Sequence, residues 1–369
     1  MTAIARLDID GLRNLSRVSI QPASRTNLVT GANGSGKTSL LEAIHILSLG
    51  RSFRSTRLDP LIQTDADFFH LFARFENGDT AGVQKSRDSR DRILKFNGEK
   101  QRNWQLLVSA LPVQLFNSDS FSLLHGGSRL RRRYLDWGVF HVEHGFLPAW
   151  QAMARCLSQR NALLKKGRQA DRYQLASWDQ QFISATERVT RDRREYFGRL
   201  LPYLESATSE LLPSLQEGVS YQFYQGWSDD QTYDEALSLA YEGDLRYGVT
   251  RRGPHRADLL IKVGGLPAEQ VFSRGQQKML VCAMKLAEIR SLQAINPVVR
   301  PVLLVDDLAS ELDGSNRQKV VEAMTGLGAQ AFFTAIEAGD LSELMAGDES
   351  DNAGQIRQFH VEHGKIEAL

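Results

Sequence analysis

The chain has 369 residues, 42% hydrophobic and 24% charged, a length that allows about two domains and a sizeable core. Lys+Arg 45 against Asp+Glu 44 leaves no global basic excess, and the two cysteines, Cys156 and Cys282, lack metal-type spacing, which argues against a disulfide scaffold or a structural zinc site. No apolar run approaches the roughly 20 residues that span a bilayer, and the opening MTAIARLDID lacks the apolar stretch of a signal peptide, so the expectation is a cytoplasmic protein with no membrane association.

Along the chain, Ile4, Leu7 and Ile9 alternate like a strand, and Val18 and Ile20 follow after a polar turn. A short apolar strand, Asn27–Thr30, runs into a glycine-rich turn at Gly31–Gly36. Leu40, Leu41, Ile44 and Leu47 then recur at helical spacing, and Gly50 is the expected stop. From Phe68 to Phe96 the pattern is strand-like, with turns at Asn77-Gly78 and Asn97-Gly98. Residues 130–212 read mostly as helices, punctuated by Gly167 and Pro202. Strand signal returns at Ser220–Tyr224, Asp258–Val263, Val302–Val305 and Ile356–His360, with a helix over 276–292. The expected fold is α/β. Residues 1–112 and 250–369 build a core with a mixed sheet flanked by helices, and 113–249 form a mainly helical inserted lobe.

The segment Gly31-Ala32-Asn33-Gly34-Ser35-Gly36-Lys37-Thr38 fits the full G-x-x-x-x-G-K-[ST] pattern between a strand and a helix. Glycines let such a loop curl with its N–H groups inward, and the next helix adds its positive end, which suits a phosphate chain. Lys37 would then reach the β- and γ-phosphates, and the Thr38 hydroxyl would sit on Mg²⁺. Val302–Val305 ends in Asp306 and Asp307, placing carboxylates where phosphoryl transfer needs a metal ligand and a group to orient water. Asp306 is the candidate Mg²⁺ ligand and Asp307 the candidate base.

Two further segments narrow the class. Phe272-Ser273-Arg274-Gly275-Gln276 opens a helix with a hydroxyl, backbone N–H groups and a positive dipole end, a second anion turn far from the first. Ser310-Glu311-Leu312-Asp313 follows the two acids. This order resembles that of the ABC-type P-loop ATPases. The resemblance implies that ATP is closed between Lys37 of one chain and Ser273, Gly275 and Gln276 of a second copy.

The stretches LRNL (12–15), GANGSGKTSLLEAIHILSLGRSFR (31–54), LLHGGSRLRRRYLDWGVFH (123–141), QRNALLK (159–165), GPHRADL (253–259), SRGQQK (273–278) and DDLASELD (306–313) further resemble the RecF family, replication and repair proteins related to the SMC ATPases. That resemblance implies an ATP-dependent homodimer, weak DNA-stimulated ATP hydrolysis, and binding to double-stranded DNA and single-strand/double-strand junctions. It also implies help to RecR and RecO in loading RecA, and a nucleoid-associated location. It adds Arg13 and Ser39 to the nucleotide residues, and Gln114, loosely, to the Mg²⁺ ligands. The chain departs from the ABC pattern at Asp307, where Glu is usual, and at Thr334, where a switch His is usual. A carboxylate set back by one methylene predicts slow turnover.

Charge is uneven along the insert. Residues 129–199 hold 15 Lys/Arg and 7 Asp/Glu, whereas 200–245 hold 9 acids and no Lys or Arg. A basic stripe suits DNA phosphates. The candidate contacts are Arg51, Arg54, Arg57, Lys165, Lys166, Arg168, Arg191, Arg193 and Arg194. Among Arg131–Arg133, at least one arginine is expected to be buried against Asp136. An ATP-hydrolysing subunit of a membrane transporter is the alternative, disfavoured by an insert of this length. A structural SMC-like protein would need long heptad runs, which are missing from the sequence.

Overall fold

The computed structural model describes residues 3–89, 91–169, 171–215, 218–342 and 356–369, without the side chains of residues 168 and 342. The chain divides into two units, Met1–Phe121 with Asn296–Leu369, and Ser122–Ile295.

In the first unit, alternating strands build a six-stranded antiparallel sheet in the order Val18–Ile20, Ile4–Asp10, Phe68–Phe75, Thr80–Ser86, Arg92–Phe96, Glu99–Lys100. Phe69, Leu71, Ala73 and Phe75 face inward from its third strand, the period-two burial of a sheet with one wet face. A second six-stranded sheet runs Lys365–Ala368, Ile356–Glu362, Thr26–Thr30, Gln330–Ala335, Val302–Val305, Val113–Phe116. It is parallel except for its terminal hairpin. Val302–Val305, an unbroken apolar run, is buried at every residue, as is the neighbouring Gln330–Ala335.

The Lys37–Leu49 helix starts after Gly36 and stops at Gly50, whose φ of 66° is left-handed. A side chain at Gly50 would collide with the Trp104 ring, so the expected stop is also a packing requirement. Nearly the whole helix is buried. Leu40, Ile44 and Leu47 share one core with Leu7, Phe69 and Leu71 of the first sheet and Val29, Leu304 and Phe332 of the second. A helix apolar on most sides has to be enclosed in this way.

The second unit carries a three-stranded antiparallel sheet, Leu266–Pro267, Asp258–Val263, Val219–Tyr224, and the helices Ser128–Val142, Phe146–Leu164, Arg172–Leu211, Tyr233–Tyr247 and Arg274–Ile295. Pro202, expected to punctuate, lies inside a helix of 40 residues. An interior proline costs about 3 kcal/mol, and the burial of Leu200, Leu204, Ala207 and Leu211 around it offsets that cost. The unit boundaries also differ from the expected 112/113 and 249/250. Val113–Phe116 pairs with Val302–Val305 and stays in the first unit, while Asp258–Val263 pairs with Val219–Tyr224 and keeps 250–295 in the second.

Three arginines of the basic stretch are tied into the second unit. Arg160 is fully enclosed and donates to Asp179 at 2.6 Å, Asp244 at 2.7 Å and Thr250 Oγ1 at 2.8 Å. Burial pushes both carboxyls up from their ordinary values, and the guanidinium opposes the shift. Arg131 grips Asp258 through two bonds of 2.8 and 2.9 Å. Asp136 is gripped by Arg193, at 2.7 and 2.9 Å, rather than by a residue of 131–133.

Two histidines of this unit make its stability pH-dependent. Burial lowers His141 to about 3 and His255 to about 4. The unfolded chain, with imidazoles near 6.5, therefore binds more protons than the folded one in the interval below that value. Stability is fully present above pH 6.5 and falls as pH drops through this window. The urea midpoint should fall between pH 7 and pH 4. His141→Phe, which keeps the ring contacts with Trp137 and Phe140, should flatten that slope.

Candidate functional site

The glycine-rich turn, the strand ending in two acids and the neighbouring strand meet at one end of the parallel sheet. Gly31 has φ 147°, and a Cβ there would strike Val361 O and Ser35 Oγ; Gly36 has φ 126° and lies against Leu15 and Asn14. These positions require glycine, and they curl the loop back toward its own helix. Lys37 folds over it, with Nζ donating to Gly31 O at 2.6 Å and Ala32 O at 3.0 Å. Burial lowers the Lys37 pKa, and the carboxylates of Asp307 and Asp306 oppose the shift. Asn14 staples the turn by donating to Ser35 O at 2.7 Å and Gly34 O at 3.2 Å, while Ser39 donates to Asn14 Oδ1 at 3.2 Å.

Parallel pairing sets the acids. Leu304 and Val305 lie opposite Phe332 and Phe333, which puts Thr334 beside Asp306. The Thr38 and Thr334 hydroxyls donate to Asp306 Oδ1 at 3.0 and 2.9 Å, and Thr334 Oγ1 accepts from Asp307 N at 2.9 Å. Thr334 therefore orients both acids. Asp307 has φ 52°, strained for a non-glycine residue, and its carboxylate accepts from Ser310 Oγ at 2.8 Å.

Around these groups lies a cavity of about 550 Å³ lined by Arg13, Asn14, Asn33, Gly34, Gly36, Lys37, Thr38, Ser39, Asp306 and Asp307, and completed by Arg54, Asn117, Ser118, Ser310, Glu311, Thr334 and Ile336. Thus the loop residues, Arg13, Ser39 and both acids come together. Gly31 and Ser35 shape the loop from behind. Ser35 Oγ is buried without a hydrogen-bond partner among the described residues. Gln114 is not part of this lining. It pairs with Leu303, two residues before the strand end, and Asn117 and Ser118 take the place beside Asp306, whose N–H donates to Phe116 O at 2.8 Å. No sequence pattern singled out Asn117 or Ser118, because their position follows only from that strand pairing.

A hydroxyl and a carboxylate, Thr38 and Asp306, are hard oxygen donors. Among the described residues no group of three or more His, Cys, Asp and Glu forms a metal cage. The donor set fits Mg²⁺, which takes one or two carboxylates and completes its shell with phosphates and water. With its inward-curled backbone and Lys37, the cavity can hold a triphosphate.

In the second unit, Ser273 precedes the Arg274–Ile295 helix. Its hydroxyl accepts from Gln276 N at 3.3 Å, and Gln276 Oε1 accepts from Ser273 N at 3.0 Å, a reciprocal cap. Ser273 and Gly275 are exposed, and nothing lies within 4 Å of where a Gly275 Cβ would stand.

The basic candidates separate. Arg51 and Arg57 are exposed and line a second cavity, of about 710 Å³, with Lys85, Arg87, Arg92, Asp59 and Asp88. Arg57 also pairs with Asp59 at 3.2 Å. Arg54 lines the Lys37 cavity instead. Lys165 and Lys166 are exposed after the Phe146–Leu164 helix, and the Arg168 side chain lies outside the described residues. Arg191 pairs with Asp192 at 3.5 Å, and Arg194 donates to Gln225 Oε1 at 2.6 Å; both are more than half exposed. Arg193 is corrected: its side chain is 2% exposed and committed to Asp136 and Pro254 O, so it has no surface to offer a DNA phosphate.

Residues 3–351 match the family described as the RecF/RecN/SMC N-terminal domain. DNA replication and repair protein RecF of Cellvibrio japonicus is 40% identical over 99% of this chain and 99% of its own length. The RecF protein of Stutzerimonas stutzeri is 40% identical over 100% of this chain and 98% of its own. The fold matches a solved structure described as the recombination mediator RecF with ATPrS in the RecFOR pathway, at TM-score 0.83 and 25% identity, covering 100% of this chain and 98% of that one. An Smc head bound to the C-terminal winged-helix domain of ScpA matches at TM-score 0.57 and 16% identity, a likeness of fold alone, over 100% of this chain and 97% of that one. On identity sustained over its whole length, the chain belongs to the RecF family.

Proposed function

We propose that the chain is an ATP-gated DNA-binding protein of recombinational repair and replication restart, slow in hydrolysis and dimeric only with ATP bound. The observation that carries this reading is the convergence of Lys37, Thr38, Asp306 and Asp307 on one polar cavity. Lys37 would leave the loop carbonyls for phosphate oxygens, and Thr38 with Asp306 would hold Mg²⁺, which supplies charge neutralisation at the phosphates. Asp307, aimed by its strained backbone and by Ser310, would orient the attacking water and take its proton. Its short side chain keeps that transfer slow.

The exposed Ser273–Gln276 turn supplies a reason for dimerisation. It presents a hydroxyl and helix N–H groups to an anion, so a γ-phosphate held by a second copy gains contacts that exist only in the pair. ADP lacks that group, and hydrolysis opens the pair. The solved relative carrying ATPrS supports the choice of nucleotide, and the RecFOR pathway named for it supports action with RecR and RecO, toward loading RecA as the family resemblance implies. The exposed arginines and lysines at 51, 57, 165, 166, 191 and 194 would meet duplex phosphates near a gap.

Fluorescence anisotropy on a labelled gapped duplex tests this reading. A non-hydrolysable ATP analogue should tighten binding at least about tenfold over ADP, and affinity should fall steeply with salt. Binding that ignores the nucleotide, or no binding at low salt, would refute ATP-gated DNA binding.

A further inference from the structure

The Lys37–Leu49 helix carries one carboxylate into its core. Glu42 is fully buried, and a buried charge persists only when paired and hydrogen-bonded. Arg13 donates to it twice, from Nε at 2.9 Å and from Nη2 at 3.1 Å, and Ser52 Oγ donates to Oε1. Both partners belong to segments that wall the Lys37 cavity. Arg13 lines the cavity from a backbone held at φ 56°.

Ser52, its hydroxyl hydrogen directed at Glu42, accepts from the N–H groups of Arg54 at 2.9 Å and Ser55 at 2.8 Å. These bonds close the turn that carries Arg54, which lines the same cavity. His45, one helical turn beyond Glu42, has Nδ1 2.7 Å from Arg51 O. A carbonyl oxygen only accepts, so Nδ1 carries the proton and gives the loop a second anchor. The helix that begins at the phosphate loop thus fixes the segment following it at two points.

We infer that Glu42 is a positioning residue for the phosphate site, aiming Arg13 directly and Arg54 through Ser52. The inference rests on reading the cavity as the nucleotide site. Lys37, Arg13 and Arg54 are like charges around one space, and free arginines would turn to water and lose side-chain entropy when a ligand recruits them. The buried carboxylate compensates part of that charge from behind and holds the cations ready before the polyanion arrives.

Titration of a fluorescent ATP analogue with Mg²⁺ tests the role, with thermal melts beside each variant. Glu42→Gln, which keeps the shape but not the charge, should weaken binding about tenfold. Ser52→Ala, which leaves the Arg13–Glu42 pair intact, should weaken binding severalfold at an unchanged melting temperature. The double variant should bind like Glu42→Gln alone, because the two residues act along one chain. Arg54→Ala should cost affinity in the wild-type background and almost none in the Ser52→Ala background, which a merely structural serine would not produce. If Glu42→Gln fails to fold, the Ser52 and Arg54 arms decide. Ser52→Ala binding as wild type, or Arg54→Ala costing the same in both backgrounds, overturns the role of Glu42. A wild-type chain that binds no analogue overturns the reading of the cavity and this inference with it.

Discussion

Lys37→Ala should lower ATP turnover by about 10²- to 10³-fold, the scale of loss when one pre-aimed donor to developing transition-state charge is removed. The ammonium lines the cavity, bonded to Gly31 O and Ala32 O, with the carboxylates of Asp307 and Asp306 acting on it. Alanine leaves those carbonyls open to water and no cation over the loop. Asp307→Asn should cost a similar factor in turnover while leaving analogue affinity within a fewfold, since asparagine can still accept from Ser310 but cannot take a proton. Steady-state phosphate release beside analogue titration separates the two effects. A fast Asp307→Asn chain would remove Asp307 from the chemistry.

Arg160→Ala is expected to be the most damaging change outside the cavity. Its guanidinium joins Asp179, Asp244 and Thr250, and both Arg160 and Asp244 have fully enclosed side chains. Removing the cation strands carboxylates that burial already penalises, and breaking a buried pair from one side costs about 3–5 kcal/mol. Domains are stable by about 5–15 kcal/mol, so the Ser122–Ile295 unit should lose much of its margin. Urea denaturation followed by the tryptophans of that unit measures the shift. A midpoint within experimental scatter of wild type would show that the network contributes specificity rather than stability.

The phosphate loop was legible because its pattern is local: a strand, glycines, Lys37-Thr38 and a helix follow one another in sequence, and the structure keeps that order. Asp306 was legible for the same reason, as the end of an apolar run. What escaped the sequence depends on partners distant along the chain. Asn117 and Ser118 reach the cavity only because Val113–Phe116 pairs beside Val302–Val305, and Gln114, in that same strand, ends up short of it. Charge counting drew a basic stripe through 129–199, but Arg193 meets Asp136 from 57 positions away and is spent. Glu42 carried no signal in the sequence, because its partners Arg13 and Ser52 lie 29 and 10 positions away. Thr334 read as a weak substitute for a histidine, and the structure makes it the hydroxyl that ties Asp306 to Asp307.

Sedimentation velocity is the sharpest test of a triphosphate shared between two copies. Wild-type chain should run at the mass of one chain without nucleotide and with ADP, and at twice that mass with a non-hydrolysable ATP analogue. Ser273→Arg, changed only at the exposed cap, should bind the analogue yet stay single. A wild-type chain saturated with analogue that still sediments as one chain would contradict the shared site.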